Sequence, residues 1–379
     1  MLKGLSLFAN VGIAEAYLEN IGVDILIANE IDEKRAKFYQ HIYHKTNMIV
    51  GDITDENIRA KIINEAKEKN VDFIIATPPC QGMSIAGKME EFDERNQLVY
   101  YAIDVIKQVK PRFVLIENVP RQLKTKIKVE EKILLIPEYI KAELSGEYNF
   151  NEETLVKAMD YGVPQMRKRN IFLLSRKDTG IHWEFPEKKN IVTLKEALKN
   201  VPSLDPILRE GEELTLTKFP DYLIKKEEGA KVSKWHFPPT HSWKMVEWMV
   251  HTPSGSTAFD NEIYYPQKAG GVRIKGHYNH YRRHSWNKPS RSITQNNGVI
   301  SSLTCVHPGY LISDDCTEEG RRYSDPRVFS IYELMIITSL PLDWGIPDWA
   351  GETFIRKAIG EGIPSLLVKE IMAGLIKQI

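Results

Sequence analysis

Val71-Asp72-Phe73-Ile74-Ile75-Ala76-Thr77-Pro78-Pro79-Cys80-Gln81-Gly82 is the stretch whose reading decides the fold. Apart from Asp72, the run up to Ala76 is apolar at every position, the pattern of a strand buried on both faces. Two successive prolines cannot donate to a sheet ladder, so the strand ends there and Cys80 is carried in a stiff loop just beyond it. Loops at the carboxyl ends of parallel strands carry the sites of open α/β sheets. A thiol offered there differs in situation from the small buried hydrophobe that most free cysteines are.

Working outward, residues 5–8 form an apolar strand that leads into Ala9-Asn10-Val11-Gly12. Ile13, Ala16 and Tyr17 then recur at helical spacing and Ile21 continues the face, so the reading is strand, turn, helix. A second strand, residues 23–28, ends at Asn29-Glu30, close to the ~20-residue spacing at which dinucleotide folds place a ribose-binding carboxylate. A helix over residues 33–43 and a short strand, residues 48–50, bring the chain to Gly51-Asp52-Ile53, where Asp52 is placed to accept a hydrogen bond from an adenine amino group. Helices over residues 56–70 and 96–109 flank the Cys80 strand, and a fifth strand, residues 112–116, ends at Glu117-Asn118-Val119. The alternation predicts an α/β fold, a doubly wound and mostly parallel sheet, with a second, smaller domain. Gly12, Glu30, Asp52, Cys80 and Glu117 then all stand just past strand ends on the edge where such sheets bind ligands.

Residues 121–144 read as a charged, partly helical excursion. Two apolar segments, residues 154–161 and 169–174, are joined so closely that they should pair antiparallel as a hairpin on the sheet's edge. Gln165, Arg167 and Arg169 would then share a face, either as site residues or as a solvated basic edge that blocks aggregation. Beyond about residue 178 the alternation lapses, proline and tryptophan rise, and a domain of mixed or mostly β character is expected. Between Glu262 and Asp314 no acidic residue occurs, while Lys268, Arg273, Lys275, Arg282, Arg283, Lys288 and Arg291 are interleaved with Tyr278, Tyr281, His277, His280 and His284. That is the footprint of phosphate contacts. The three histidines lack a cysteine or carboxylate to complete a metal set, and no metal is expected. From Arg327 the pattern turns helical, and the last helix, with Leu366, Leu367, Ile371 and Leu375, suits the α/β core. The expected division is residues 1–178, 179–325 and 326–379.

Lysine plus arginine and aspartate plus glutamate number 51 each among 379 residues, so a polyanion must be met by local patches rather than by net charge. The three cysteines, Cys80, Cys305 and Cys316, make no even framework and no Cys-x-x-Cys, which points to a reducing compartment. Residues 1–4 lead into a strand without a long apolar segment or lipidation pattern, so the expectation is a cytoplasmic protein that does not engage a membrane.

With these residues in view, the chain resembles the DNA (cytosine-5) methyltransferases of bacterial modification systems over nearly its whole length. Pro78-Pro79-Cys80-Gln81, Glu117-Asn118-Val119 and Gln165-x-Arg167-x-Arg169, in that order, carry the likeness. Ser6-Leu7-Phe8-Ala9-x-x-Gly12, Arg291-Ser292-Ile293-Thr294 and Gly360-x-x-Ile363-Pro364 match the family's first, ninth and tenth motifs. The resemblance implies a Rossmann-like methyltransferase fold, a target-recognition region over roughly residues 180–290, and S-adenosylmethionine held by Phe8, Gly12, Glu30, Ile31, Asp52, Ile53, Pro79, Leu98 and Glu361. It implies Cys80, Glu117, Arg167 and Arg169 as catalytic residues, with Arg167 at the base or the Cys80 adduct and Arg169 orienting Glu117. Double-stranded DNA would be met by Gln81, Ser84, Arg95, Gln165, Arg273, Arg282, Arg283, Arg291 and Thr294, and a restriction endonuclease acting on the same site is an expected companion. Asn10 and Ile13 replace glycines usual in the family, Glu361 replaces an asparagine and Ser365 a proline. Glu361 would sit poorly against the cofactor's own carboxylate unless Arg356, Lys357 or water screened it. The alternatives are a tRNA cytosine-5 methyltransferase and a catalytically silent nucleic-acid-binding homologue.

Overall fold

The computed structural model describes residues 1–79, 94–129, 132–274, 276–313 and 320–379, with the side chains of Glu94 and Arg95 outside it. Its centre is one sheet. β1 (Leu2–Leu7), β2 (Val23–Glu30), β3 (Asn47–Val50), β4 (Phe73–Ala76) and β5 (Phe113–Asn118) run parallel in the order β3-β2-β1-β4-β5. Helices α1 (Glu33–Ile42), α2 (Glu56–Glu68) and α3 (Leu98–Val109) cross between them. The order reverses between β1 and β4, the switch point at which open sheets leave a crevice beyond the strand ends.

Alternation along each strand divides the core into two layers, as a side-chain period of two requires. Leu5, Leu7, Ile74, Ala76, Val114 and Ile116 face Ile62, Ile63, Ile103 and Ile106 of α2 and α3. Phe73, Ile75, Phe113 and Leu115 point the other way, against Trp183 and Leu367, Val368, Ile371 and Leu375 of the last helix of the chain, residues 365–376. Each fully buried Leu, Ile or Phe contributes about 1.5–3 kcal/mol, so covering the second face with that helix stabilises the sheet substantially.

The helix expected after β1 is absent. Phe8 (φ 60), Asn10 (φ 51) and Gly12 (φ 83) take left-handed backbone conformations, and the segment proceeds in short i→i−3 turns such as Leu18 N to Glu15 O. A single 3-10 turn, Glu19–Ile21, precedes β2. Of the expected apolar face Ile13 is buried while Ala16, Tyr17 and Ile21 are only half-buried, and this stretch closes i→i−3 rather than helical i→i−4 hydrogen bonds. Glu15 turns inward and accepts from Ser6 Oγ, and burial pushes its carboxyl up to about 7 against that hydrogen bond.

After β5 a 3-10 turn, Pro120–Lys124, leads into the hairpin β6 (Lys126–Val129) and β7 (Lys132–Leu135) and then α4 (Ile136–Leu144). β8 (Tyr148–Phe150), β9 (Leu155–Lys157) and β10 (Lys168–Arg176) complete the sheet. β10 is antiparallel to β5 and pairs on its other side with β8 and β9, so residues 155–157 and 168–170 form the expected antiparallel pairing added beside the last parallel strand. The middle of the chain is mixed, and helical rather than mostly β. α5 (Leu194–Ala197), α6 (Glu212–Lys218), α7 (Tyr222–Val232) and α8 (Trp243–Val250) carry its regular structure, while Ile207–Leu208 and Thr240–His241 are strands of two residues each. α9 (Ile331–Ile337), α10 (Glu352–Glu361) and α11 (Ser365–Ile376) follow, with α9 and α10 packing Met335, Ile355 and Ile359 beneath Val11 and Ile13.

Three histidines are held neutral inside this half. The ring of His241 accepts Val328 N–H, that of His284 accepts Arg291 N–H, and that of His307 accepts Gly309 N–H. Burial pushes His241 and His284 down to about 3 and His307 to about 4. Because the folded values lie below the ordinary ~6.5, the contribution is complete above that pH and is lost as pH falls towards 3–4. The urea midpoint is therefore expected to drop steadily between pH 7 and pH 5, with His241 and His284 each accounting for about 2 kcal/mol at the lower end. A midpoint constant over that range would show that these rings take up protons in the native state.

Candidate active site

The carboxyl ends of β1 to β5 enclose a cleft of about 420 Å3. Thr77 Oγ1 donates to Phe8 O, tying the end of β4 to the turn after β1. Asn29 Nδ2 donates to Ile49 O and Gly51 O, which fixes the end of β2 against that of β3 and brings Glu30 beside Asp52. Both oxygens of Glu30 are oriented by backbone, accepting from Asn10 N at 2.8 Å and Asp32 N at 3.0 Å. Phe8, Glu30, Ile31, Asp52, Ile53, Pro79 and Leu98 all line the cleft. Gly12 is not among the residues that line it. A Cβ there would lie 2.1 Å from Tyr43 Cε2, and its carbonyl accepts the Tyr43 hydroxyl, so Gly12 is needed for close approach beneath the turn.

On the opposite wall stand Glu117, Asn118, Val119 and Arg169. Asn118 Nδ2 donates to Pro78 O at 3.0 Å, locking the end of β5 to the double proline. Register pairs Ile171 with Glu117, and Arg169 reaches back from β10 to place Nε 2.5 Å from Glu117 Oε1. Both side chains are about one-tenth exposed, so the pair is held in a largely desolvated setting where its geometry is well defined. Cys80, Gln81 and Ser84 lie outside the described residues, as does the side chain of Arg95.

Arg167 and Gln165 are placed otherwise than expected. The Arg167 guanidinium donates to Ile293 O at 2.6 Å, Gly360 O at 2.9 Å and Glu361 O at 3.0 Å, and it does not line the cleft. Gln165 is fully buried, donating to Ile337 O and accepting from Ile293 N. Both side chains clip residues 293 and 360–361 to the sheet, and Cys80, whose adduct Arg167 is also expected to meet, lies outside the described residues. Gly360 is required here, since a Cβ would fall 2.2 Å from Thr294 O.

Glu361 lines the cleft, and Arg35 of α1 screens it with Nη2 2.8 Å from Oε2, helped by Asn10 Nδ2 at 3.4 Å. Arg356, expected in that part, is instead buried against Glu352, Asn297 and Phe329 O. Two departures from the family's pattern, Asn10 and Glu361, thus meet each other. Arg35 was missed because nothing local in its helix distinguishes it from an ordinary surface arginine.

Among the basic residues, Arg283 is corrected as a DNA contact. It is 1% exposed and donates to Met249 O, His307 O and Asp325 O. Arg282 donates to Gly255 O, and Arg291 to Asn279 Oδ1 with Thr294 half-buried nearby. Arg273 is exposed, stacked 3.8 Å from the centre of the Tyr265 ring and donating to Asn261 O. His284 Nε2 bonds to Thr304 O and His280 Nδ1 to Ser301 O, and no His, Cys, Asp or Glu group able to hold a metal occurs among the described residues.

A model of the family described as C-5 cytosine-specific DNA methylase matches residues 2–377. The Type II methyltransferase M1.HgaI of Avibacterium volantium is 42% identical over 375 residues, covering 98% of this chain and 97% of its own. Among solved structures, an E. coli protein described as a DNA modification methyltransferase encoded within a prophage superposes with a TM-score of 0.66 at 21% identity over 100% of this chain and 99% of its own. The DNMT2 of Spodoptera frugiperda, in a triple mutant, gives 0.61 at 15% identity over 99% of each chain. At those identities the two structures speak for the fold alone.

Proposed function

We propose that Cys80, Glu117 and Arg169 perform the chemistry of this chain, which belongs to the C-5 cytosine-specific DNA methylase family. It is a DNA cytosine-5 methyltransferase with relatives among the Type II enzymes of restriction-modification systems. The observation that carries the residue assignment is the Glu117–Arg169 pair, set in the cleft wall beside Pro78 and Pro79, the residue covalently joined to Cys80.

S-adenosylmethionine fits the residues present. Glu30 offers a fixed carboxylate for a ribose diol, Asp52 an acceptor for an adenine amino group, and Phe8, Ile31, Ile53 and Leu98 apolar surface for a base. When bound, it supplies an electrophilic methyl group. Carbon 5 of cytosine is a feeble nucleophile while the ring is aromatic. The Cys80 thiolate adds to carbon 6, forming the C–S bond and pushing an electron pair into the ring as Glu117 delivers a proton at nitrogen 3. Arg169 holds Glu117 in the geometry that reaches nitrogen 3 and the exocyclic amine. Once carbon 5 has gained its methyl group, it loses its proton to a base, the C–S bond breaks so that Cys80 leaves as thiolate, and nitrogen 3 returns its proton to Glu117. Carbons 5 and 6 are stacked inside duplex DNA, so the target cytosine must swing out, at a cost of a few kcal/mol.

Residues 1–178 with 326–379 form the catalytic part in this reading, and residues 179–325 choose the sequence, with Arg273, Arg282 and Arg291 as its cationic contacts. A restriction endonuclease acting on the same site is the expected companion. No helix among the described residues is long and apolar enough to cross a membrane, and we place the enzyme in the cytoplasm. Incubation with labelled S-adenosylmethionine and either duplex DNA or tRNA, followed by nucleoside analysis, tests the reading. 5-Methylcytosine in DNA is the expected result. Label confined to tRNA, or no label at all, would replace it with the RNA enzyme or the silent homologue.

A further inference from the structure

We propose that the hairpin β6–β7, with the 3-10 turn before it, is a second phosphate-gripping surface that holds duplex DNA from the catalytic side of the cleft. The inference rests on the DNA reading above and adds a surface outside the target-recognition region. Val119 lines the cleft, and Pro120–Lys124 follows it directly, so this segment begins at the site's wall. Arg121, Lys124, Lys126, Lys128 and Lys132 are all exposed, and the described residues from 119 to 135 include no carboxylate. Glu130 and Glu131 stand between the strands in the sequence, outside the described residues, which leaves five cations against two carboxylates.

The lysines are presented by construction. Ile127 is 1% exposed and packs into the core below β6, which by strand alternation turns Lys126 and Lys128 outward. Tyr100 of α3 donates its hydroxyl to Lys128 O, and Ile136 N–H donates to Thr125 O, so the hairpin is tied down at both ends. Lys107 of α3 and Lys110 just after it are paired with carboxylates, Lys107 with Glu143 at 2.6 Å and Lys110 with Glu147 at 2.7 Å. Lys124, Lys128 and Lys132 form no such pair among the described residues, so their charge is available to a polyanion. A chain with no net charge needs local patches of this kind, and the basic region of the middle domain has lost Arg283 to the interior.

Contacts of this type grip without reading sequence, so they act equally on any duplex and weaken with salt. The test is the affinity of the full-length enzyme for a random-sequence duplex, measured between about 50 and about 200 mM salt, for the parent and for K124Q/K128Q/K132Q. Loss of three phosphate contacts is expected to reduce the slope of log affinity against log salt by about 2.7, equivalent to about forty-fold less affinity lost across that range. Parent-like melting and S-adenosylmethionine binding certify the fold of the variant. Should the triple variant melt early, Lys128→Gln alone carries the test with an expected slope change of about 0.9. An unchanged slope beside a parent enzyme that binds the duplex overturns this surface alone. A parent that shows no salt-dependent binding overturns the DNA reading and this surface together.

Discussion

Cys80→Ala is expected to lower the methylation rate by at least about 10^4-fold, more than about 5 kcal/mol of transition-state stabilisation. The size follows from the chemistry, because without a nucleophile at carbon 6 the ring keeps its aromaticity and carbon 5 has no electron pair to offer. Serine should not rescue it, since a hydroxyl is far less readily ionised than a thiol. A duplex with 5-fluorocytosine at the target gives the clearest measurement. Fluorine cannot leave as a proton does, so after methyl transfer the C–S bond persists and a complex stable to denaturing electrophoresis accumulates with the parent. Cys80→Ala should form none. Cys305→Ala should form it normally, because burial pushes that thiol up to about 12 and its Sγ–H donates to Val299 O inside the core. An adduct that survives Cys80→Ala, or one that vanishes with Cys305→Ala, would remove Cys80 from the centre of the mechanism.

Glu117→Gln should cost about 10^2–10^4-fold in the single-turnover rate, the range expected when a positioned proton donor is lost. The amide can still hydrogen-bond the base but cannot give a proton to nitrogen 3. Arg169→Leu should fall by a similar factor, because its Nε atom is 2.5 Å from the Glu117 carboxylate and both groups are nearly buried. The informative measurement is the double variant. If Arg169 works by orienting Glu117, the double substitution should be little worse than the more damaging single one, a coupling that independent sites would not show. Arg167→Leu offers a contrast. Its guanidinium holds Ile293, Gly360 and Glu361 by their carbonyls, so its loss should appear first in stability and cofactor binding. Multiplying effects of Glu117→Gln and Arg169→Leu would show that the two residues act separately.

The two arginines of Gln165-x-Arg167-x-Arg169 show where reading the sequence stops being enough. They stand two residues apart and share the chemistry of a planar, permanently charged donor. One meets three carbonyl oxygens and the other a carboxylate, and the partners come from residues 293, 360 and 361 on one side and β5 on the other. Arg282 and Arg283 divide in the same way. Arg283 is enclosed by carbonyls from distant segments, while its neighbour remains half-buried. Arg35 and Glu361, separated by most of the chain, meet at the cleft without any local pattern announcing it.

What the amino-acid order determined by itself was the parallel sheet and the carboxyl edge on which Glu30, Asp52, Pro79 and Glu117 gather. Strand periodicity and the stop imposed by Pro78-Pro79 act over a few residues at a time, and such short-range terms can be read from the chain. Tertiary structure alone decided which guanidinium lines the cleft, which is buried, and how Asn10 and Glu361 are reconciled. Those outcomes depend on which carbonyl or carboxylate arrives from elsewhere to satisfy a buried charge, and a partner brought by packing leaves no mark on the residues beside it.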